Sequence, residues 1–209
     1  MSKGLSQDQV SFSKITVVSD VKTEGDLGVP GDSPHIKNMI EKALNIIGTP
    51  FVGLINADIV LTRDFQGRFQ GIVNRRGPCF FLSSVRKDVQ YDRLINSEEE
   101  YKRFFEQAAV PHQDKSADLF ISSKELFFQM MNEIPDFIFG RTIWDNWIHL
   151  HFKNKGIPCY NSSEALPCFH IGHNYDHLKV PLGKHKSVQR NMSLVKNFAF
   201  IPIGTWPQQ

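Results

Sequence analysis

Asn56 and Asp58 stand near the end of an apolar, β-forming run at residues 51–65, FVGLINADIVLTRDF. A carboxylate that leaves water needs a counter-charge or a metal ion, so an aspartate in such a run requires a partner. If one strand continues through both residues, their side chains occupy alternate positions and share one face. Carboxylate and amide oxygens are ligands for Mg²⁺ or Mn²⁺, together with substrate phosphates. The alternative is that the two residues begin an ordinary turn.

A second group of chemically competent side chains lies at residues 168–177, CFHIGHNYDH, which hold three histidines and one aspartate. Imidazole nitrogens bind divalent metals and also contact phosphate, which makes His170 and His173 candidate ligands. The spacing is not that of a zinc finger, because paired cysteines are missing. A zinc-type hydrolase and an HNH-like nuclease, suggested by His173-Asn174, remain alternatives, although the usual companion residues of both are missing.

Asp145 is a candidate base or hydrogen-bond acceptor, in the segment FIFGRTIWDNWIHLHF at residues 137–152. If this segment is a helix, Trp144 and Trp147 fall on neighbouring turns of one face. Asp145 then lies near the helix N-terminus, where the helix dipole favours the ionised carboxylate at neutral pH. Two alternatives stay open: Asp145 forms a salt bridge with Arg141, and the tryptophans belong to the core.

The elements that must position these residues begin with a strand at residues 14–20, KITVVSD, which ends on Asp20. A Gly- and Pro-rich loop at residues 22–34, a helix at 35–47 and the strand at 51–61 follow. This order is typical of a βαβ unit and predicts a parallel sheet. The near-continuous hydrophobicity of the later strand indicates burial on both faces. Ligands usually bind at the carboxyl ends of parallel strands, where Asp20 and Asp58 fall.

The rest of the chain continues the alternation of helices and strands. Ser97 followed by three glutamates is a good helix start, and Lys155-Gly156 a good helix end. Together the patterns predict a helix at 64–76, a strand at 78–85, a helix at 97–109, a strand and turn at 117–127, a helix at 142–156 and a strand at 157–163. We therefore expect one α/β domain over residues 1–209, with a mainly parallel sheet and with residues 1–13 flexible.

Composition and charge limit the class of protein. The 209 residues are 41% hydrophobic and 22% charged, which is typical of a globular protein. The net charge of +2 gives no argument for non-specific binding of polyanions. Three cysteines without a CxxC pair indicate reduced thiols, and the polar N-terminal residues lack the apolar core of a signal peptide. No stretch approaches the ~20 apolar residues of a membrane span. We expect a cytoplasmic protein without a membrane partner.

Five motifs in order resemble a branch of the GT-A nucleotide-sugar glycosyltransferases. They are Asn-Ala-Asp-Ile in INADIVLTRDF, Arg-x-Asp in VRKDV with an Asp opening the next strand in ADLF, Gly-Arg-x-x-Trp-Asp-Asn-Trp in GRTIWDNW, His-x-x-His-x-Tyr in HIGHNYDH, and Arg-Asn-x-x-Leu in QRNMSL. The resemblance covers residues 15–195. Relatives carry an extra strand and helix before the equivalent of ITVVSD, elements that help to hold the nucleotide base. The chain is then a minimal version, or a partner or longer parent protein supplies them.

The resemblance implies a single Rossmann-like GT-A domain with a nucleotide-diphosphate site. Asp58, with Asn56, is similar to the acidic motif that holds Mn²⁺ or Mg²⁺ against the donor diphosphate. His170 or His173 is similar to the late histidine that completes that site. The remaining donor contacts implied are Asp20 to the nucleoside or ribose, and Arg86 or Arg141 to the phosphates.

On the acceptor side, the resemblance implies that Asp145 is the general base if the reaction inverts the anomeric centre. Asp118, Trp144 and Trp147 are the implied acceptor contacts. The expected function is transfer of a sugar from a nucleotide-sugar, with UDP-sugar the expected donor, to an unidentified acceptor such as a glycan. A locally basic C-terminal segment, whose commoner explanation is a solvated face, also permits a hydroxylated base in DNA, and an oligomer is compatible with the sequence. The alternative is a non-catalytic nucleotide-sugar or glycan-binding module of the same fold.

Overall fold

The computed structural model describes residues 18–90, 97–112, 117–172, 184–195 and 207–208 of the chain. Within these ranges the protein contains six α-helices and eight strands, which confirms the α/β class. The helices are α1 (Ile36–Ile46), α2 (Phe65–Arg76), α3 (Glu98–Tyr101), α4 (Lys124–Met130), α5 (Trp144–Asn154) and α6 (Lys186–Ser193). The strands are β1 (Phe51–Ile55), β2 (Ile59–Leu61), β3 (Phe81–Ser84), β4 (Lys87–Val89), β5 (Val110–Pro111), β6 (Leu119–Ser123), β7 (Cys159–Asn161) and β8 (Cys168–Ile171).

The strands form two mixed sheets of four strands each, in the orders β1-β6-β3-β7 and β2-β8-β4-β5. Parallel pairing occurs between β3 and β7 and between β4 and β8. The pairs β1–β6, β3–β6, β2–β8 and β4–β5 are antiparallel. The expectation of a mainly parallel sheet is therefore corrected for the strands that the structure describes, because antiparallel pairs outnumber parallel ones.

The first strand of the predicted βαβ unit lies largely outside the described residues, and β1 differs from the prediction. Residues 14–17 and the segment 1–13, expected to be flexible, lie outside the described ranges, and residues 18–20 are not in a strand. β1 is at the edge of its sheet and alternates, with Val52 and Leu54 buried and Gly53 and Ile55 exposed. Only Phe51 on the other face of β1 packs against α2, so β1 is not buried on both faces along its length.

Strands of the first sheet pass directly into strands of the second. Residues 56–58 connect β1 to β2, residues 85–86 connect β3 to β4, and residues 162–167 connect β7 to β8. These short connections bring three chain crossings to one boundary between the sheets. We call this boundary the sheet junction, because the chemically competent side chains are found there.

All four predicted helices are present, and local chemistry accounts for several of the helix ends. Ser97 Oγ accepts the Glu100 N–H at 3.1 Å and begins α3, which continues as a π-helix at Lys102–Gln107. The turn predicted after β6 is instead α4, because Ser123 Oγ accepts the Leu126 N–H at 3.3 Å and caps a helix. Gly156, with φ of 72°, follows the end of α5, where glycine tolerates the left-handed conformation.

The apolar core lies on both faces of the first sheet. One face packs against α1, α4 and α5, where the rings of Phe81 and Phe152 stack with centroids 4.4 Å apart. The other face packs against α2, where Phe69 meets Phe51 edge-to-face at 5.2 Å. Each fully buried phenylalanine contributes about 1.5–3 kcal/mol of transfer free energy, which holds the helices against the sheet. No helix in the described part of the chain is long and apolar enough to cross a membrane.

Candidate functional site

A group of polar and charged side chains lies at the sheet junction, contributed by two of the three chain crossings, by β4 and β8, and by residues next to β5 and β6. Their sequence positions span more than one hundred residues, yet each contacts at least one other member. We call this group the junction cluster: Asn56, Asp58, Arg86, Asp88, His112, Asp118 and His170.

Asn56 and Asp58 lie in a tight turn and not on one strand. β1 ends at Ile55, and the Ile59 N–H donates to the Asn56 carbonyl at 3.2 Å, which closes the turn. The prediction that the two side chains share a strand face is therefore wrong, and the alternative, a turn at residues 56–59, is confirmed. Both side chains still enter the cluster, because Asn56 Nδ2 donates to Asp118 Oδ1 and Asp58 Oδ2 lies 3.3 Å from His170 Nε2.

Asp88 is the centre of the cluster, because three cationic or potentially cationic groups converge on it. Arg86 Nε donates to Asp88 Oδ1 at 3.0 Å, and His170 Nδ1 lies 3.1 Å from the same oxygen. His112 Nδ1 approaches the other oxygen, Oδ2, at 2.5 Å. Burial alone would raise the pKa of Asp88, but the hydrogen bond with His112 and the charges of Arg86, His112 and His170 lower it below its usual value. Asp88 is therefore an ionised anchor.

Asp118 sits deeper than Asp88 and behaves in the opposite way. Its side chain is 8% exposed, and burial raises its pKa although the charges of Arg86 and His170 oppose the shift. Arg86 Nη1 donates to Asp118 Oδ2 at 3.4 Å, so one guanidinium joins Asp88 to Asp118. The two carboxylates are thus held in a fixed relation by a planar donor.

His170 touches two carboxylates at once. Nδ1 faces Asp88 and Nε2 faces Asp58, and both contacts are hydrogen bonds only when both ring nitrogens carry protons. The ring is almost fully buried in β8, whose pairing with β2 and β4 fixes its position. The structure thus brings together His170 and Asp58, which belong to two motifs more than one hundred residues apart in the sequence.

The same pair supplies a carboxylate oxygen and an imidazole nitrogen, two donor types that bind divalent ions such as Mn²⁺, and Asp58 Oδ2 lies 3.3 Å from His170 Nε2. Within the described ranges, no group of three or more His, Cys, Asp or Glu side chains is arranged to hold a metal ion. His173, the other candidate ligand, lies outside those ranges.

Asp145 lies in the first turn of α5, as predicted, but its acidity differs from the expectation. Burial raises the pKa of Asp145 to about 6, the hydrogen bonds with Asn146 oppose the shift, and the negative charge of Asp118 adds to it. The predicted effect of the helix dipole is therefore outweighed, because the dipole is worth only about 0.3–1 kcal/mol at such a position.

The two tryptophans of the WDNW motif belong to packing layers. Trp144 is 6% exposed and its ring lies 5.3 Å from that of Phe120. Trp147 is partly buried, with its ring 5.9 Å from Phe137 and 5.0 Å from His151. The core alternative accounts for these positions. Both rings also fix the start of α5 against β6 and the segment before the helix.

Two predicted donor contacts have partners outside the junction cluster. Asp20 is exposed and its carboxylate lies 2.6 Å from Lys42 Nζ. Arg141 Nη2 donates to Ser33 Oγ at 2.7 Å and lies 3.7 Å from Glu24 Oε1. The alternative that Arg141 forms a salt bridge with Asp145 is therefore replaced by this pairing with Glu24. Of the two arginines expected at the phosphates, only Arg86 belongs to the cluster.

Sequence reasoning missed two histidines near the site. His112 follows β5, and no periodicity or motif marks it; only its pairing with Asp88 reveals it. His149 lies one helical turn after Asp145 on α5, fully buried between Phe81 and Phe120, with Nε2 2.8 Å from Ser83 Oγ. Burial lowers the pKa of His149 to about 3, so the ring is neutral.

The chain matches no family model, and no curated protein or solved structure matches it. The functional assignment therefore depends on the geometry of the junction cluster and on the motifs whose residues form it.

Proposed function

We propose that this chain is a nucleotide-sugar glycosyltransferase that depends on a divalent metal ion. The observation that carries the proposal is the convergence of separate motifs at the sheet junction. Asp58 from the NADI motif, Arg86 and Asp88 from VRKD, Asp118 from ADLF and His170 from the histidine-rich segment contact one another within hydrogen-bonding distance or close to it. Packing alone gives little reason for so many charged groups to share one boundary.

On the donor side, Asp58 and His170 would hold Mn²⁺ or Mg²⁺. When bound, the ion supplies neutralisation of the charge on the leaving nucleoside diphosphate. Arg86 would bind a phosphate oxygen, because its guanidinium is planar, always charged and held in place by Asp88 and Asp118. Asp88 orients His170 and Arg86 together.

On the acceptor side, Asp145 would accept the proton of the attacking hydroxyl group. A carboxyl with a pKa of about 6 is ionised at neutral pH and is a stronger base than an ordinary aspartate. The start of α5 packs against β6 next to Asp118, because the ring of Trp144 lies 5.3 Å from that of Phe120. The acceptor hydroxyl would therefore meet the sugar between α5 and the sheet junction.

A calorimetric titration with UDP, in the presence of Mn²⁺ or of EDTA, tests the donor side. We expect Asp58→Asn to lose the Mn²⁺-dependent affinity for UDP, because the amide that replaces the carboxylate is a much weaker ligand for the ion. Asp64→Asn is the matched control, since Asp64 is an exposed carboxylate that pairs with Arg68 outside the cluster. Equal affinities of the wild type and Asp58→Asn for UDP·Mn²⁺ would end the metal assignment.

Release of nucleoside diphosphate from a panel of nucleotide-sugars, with glycan and hydroxylated-DNA acceptors, tests the reaction. A transferase releases the diphosphate faster when its acceptor is present. Binding of UDP·Mn²⁺ without release from any donor would instead favour the non-catalytic binding module. The two functions are thus separated by turnover and not by affinity.

A further inference from the structure

The start of α5 is held in place from a distance by the last described helix, α6. Asn191 on α6 is fully buried, and its side chain binds the backbone of the segment before α5. Asn191 Oδ1 accepts the Ile138 N–H at 2.9 Å, and Nδ2 donates to the Ile138 carbonyl at 2.9 Å and to the Thr142 carbonyl at 3.3 Å. A single amide side chain therefore binds both ends of residues 138–142.

A second residue of α6 supports the same segment. Ser187, one turn before Asn191 and equally buried, donates to Glu24. The carboxylate of Glu24 also lies 3.7 Å from Arg141, which belongs to residues 138–142. Residues four apart share one face of a helix, so one face of α6 contacts this segment directly and through Glu24.

The segment needs such support because it ends in a strained residue. Ile143 has φ of 88°, and it is the only residue other than glycine with positive φ among those that the structure describes. A β-branched residue rarely adopts this region, and it persists there only when its surroundings fix it. Ile143 immediately precedes α5, and Asp145 is the second residue of that helix. The direction of the first turn therefore depends on residues 138–142.

We propose that Asn191 is a positioning residue, which fixes where Asp145 lies relative to the junction cluster by holding residues 138–142. The effect of Asn191 on sugar transfer rests on the proposed function. Its effect on the position of Asp145 can be measured without turnover. The sequence alone gives the motif QRNMSL no role. Its asparagine, Asn191, now has a positioning role. Its neighbour Arg190 does not take part in these bonds.

The direct test is an NMR titration of the Asp145 carboxyl carbon in the wild type and in Asn191→Ala. We expect the pKa of Asp145 to fall from about 6 toward 3.8 in the variant, because the helix start becomes looser and the carboxyl gains water. Asp118 is the charged group that acts on Asp145, so Asp118→Asn in both backgrounds separates its contribution from that of burial.

Ser122→Ala is the matched control. It also removes a buried side-chain hydrogen bond to the backbone, from Ser122 Oγ to the Phe80 carbonyl at 2.7 Å, but in the middle of β6. If Asn191 only stabilises the fold, both variants lower the melting temperature and both leave the pKa of Asp145 near 6. That result would overturn the proposal. If Asn191→Ala does not fold, Asn191→Ser replaces it, because its short side chain cannot reach both backbone groups of Ile138.

Kinetics provide the second readout once a donor is known. Asn191→Ala should lower kcat for transfer by about 10²-fold, the loss expected from a displacement of about 1 Å at the reacting groups. The KM for the donor should not change, since Asp58, Arg86 and His170 lie on other elements. An equal loss in kcat and in donor affinity would contradict the positioning role. If no donor supports transfer by the wild type, the proposed function fails, and the NMR titration still decides the role of Asn191.

Discussion

Replacing Asp145 by asparagine should make the protein more stable and less active. Asparagine keeps the shape of the side chain and removes its charge. The pKa of Asp145 is raised from the usual 3.8 to about 6, so ionisation in the folded state costs about 3 kcal/mol more than in the unfolded state. At pH 8 the wild type bears this whole cost, and Asp145→Asn bears none of it. We therefore expect the free energy of unfolding to rise by up to about 3 kcal/mol at pH 8.

The pH dependence fixes the sign of the effect. Because the folded state binds this proton more tightly than the unfolded state, Asp145 contributes almost no penalty below about pH 3, where both states are protonated. The penalty grows as the pH rises through 6 and is constant above it. At pH 5 about half of the full penalty has developed, so the advantage of Asp145→Asn should be about half of that at pH 8.

Urea unfolding at pH 5 and pH 8 measures both values for the wild type and the variant. Asp64→Asn is again the control, because Asp64 is exposed at the start of α2 and its substitution should change stability little at either pH. Transfer by Asp145→Asn should fall by about 10²–10⁴-fold if Asp145 is the base. A variant that is less stable than the wild type at pH 8, or one whose advantage is the same at both pH values, would refute the reasoning.

Two further outcomes follow from buried groups away from the cluster. His149→Gln should reduce the loss of stability between pH 6.5 and 3, because burial lowers the pKa of His149 to about 3 and only the unfolded state takes up the proton in this range. Urea unfolding at pH 7 and pH 4.5 measures this loss, and a loss equal to that of the wild type would contradict the prediction. In thiol titration with a disulfide reagent, exposed Cys79 should react in the folded protein. Cys159 and Cys168 should react only after unfolding, because burial raises their pKa values to about 12, and three fast thiols in the folded protein would contradict the structure.

The helices were predictable from sequence because their signals are local. The periodicity of α1 and α5, the serine cap of α3 and the glycine after α5 each act within a few residues. The strand at residues 51–61 misled the prediction, since an apolar run does not show where it bends. Asn56 and Asp58 close a turn within that run, a conformation that both residue types favour. The pairing of β1 with β6 depends on a strand that is distant in sequence.

The composition of the candidate site was predicted in part, through motifs and not through spacing. Asp58 and His170 are joined by sheet pairing between β2 and β8, which no local pattern reveals. Arg141 was expected at phosphates, but the nearest carboxylate is that of Glu24, which approaches only when the loop before α1 folds over residues 138–142. His112 has no sequence signal at all, because its role depends on the pairing of β4 with β5.

Two free-energy costs lie close together at the start of α5. Their proximity is an argument for function that does not depend on any motif. Burial makes the ionised form of Asp145 costly by about 3 kcal/mol, and the positive φ of Ile143 adds a cost of order 1–3 kcal/mol two residues earlier. A chain selected for stability alone would remove both costs through a neutral residue at 145 and a glycine at 143. The three hydrogen bonds of Asn191 and the packing of Trp144 on Phe120 instead hold the strained start in place. Proteins retain local inconsistencies of this kind mainly where a site requires them, so the first turn of α5 is where a loss of function should accompany a gain in stability.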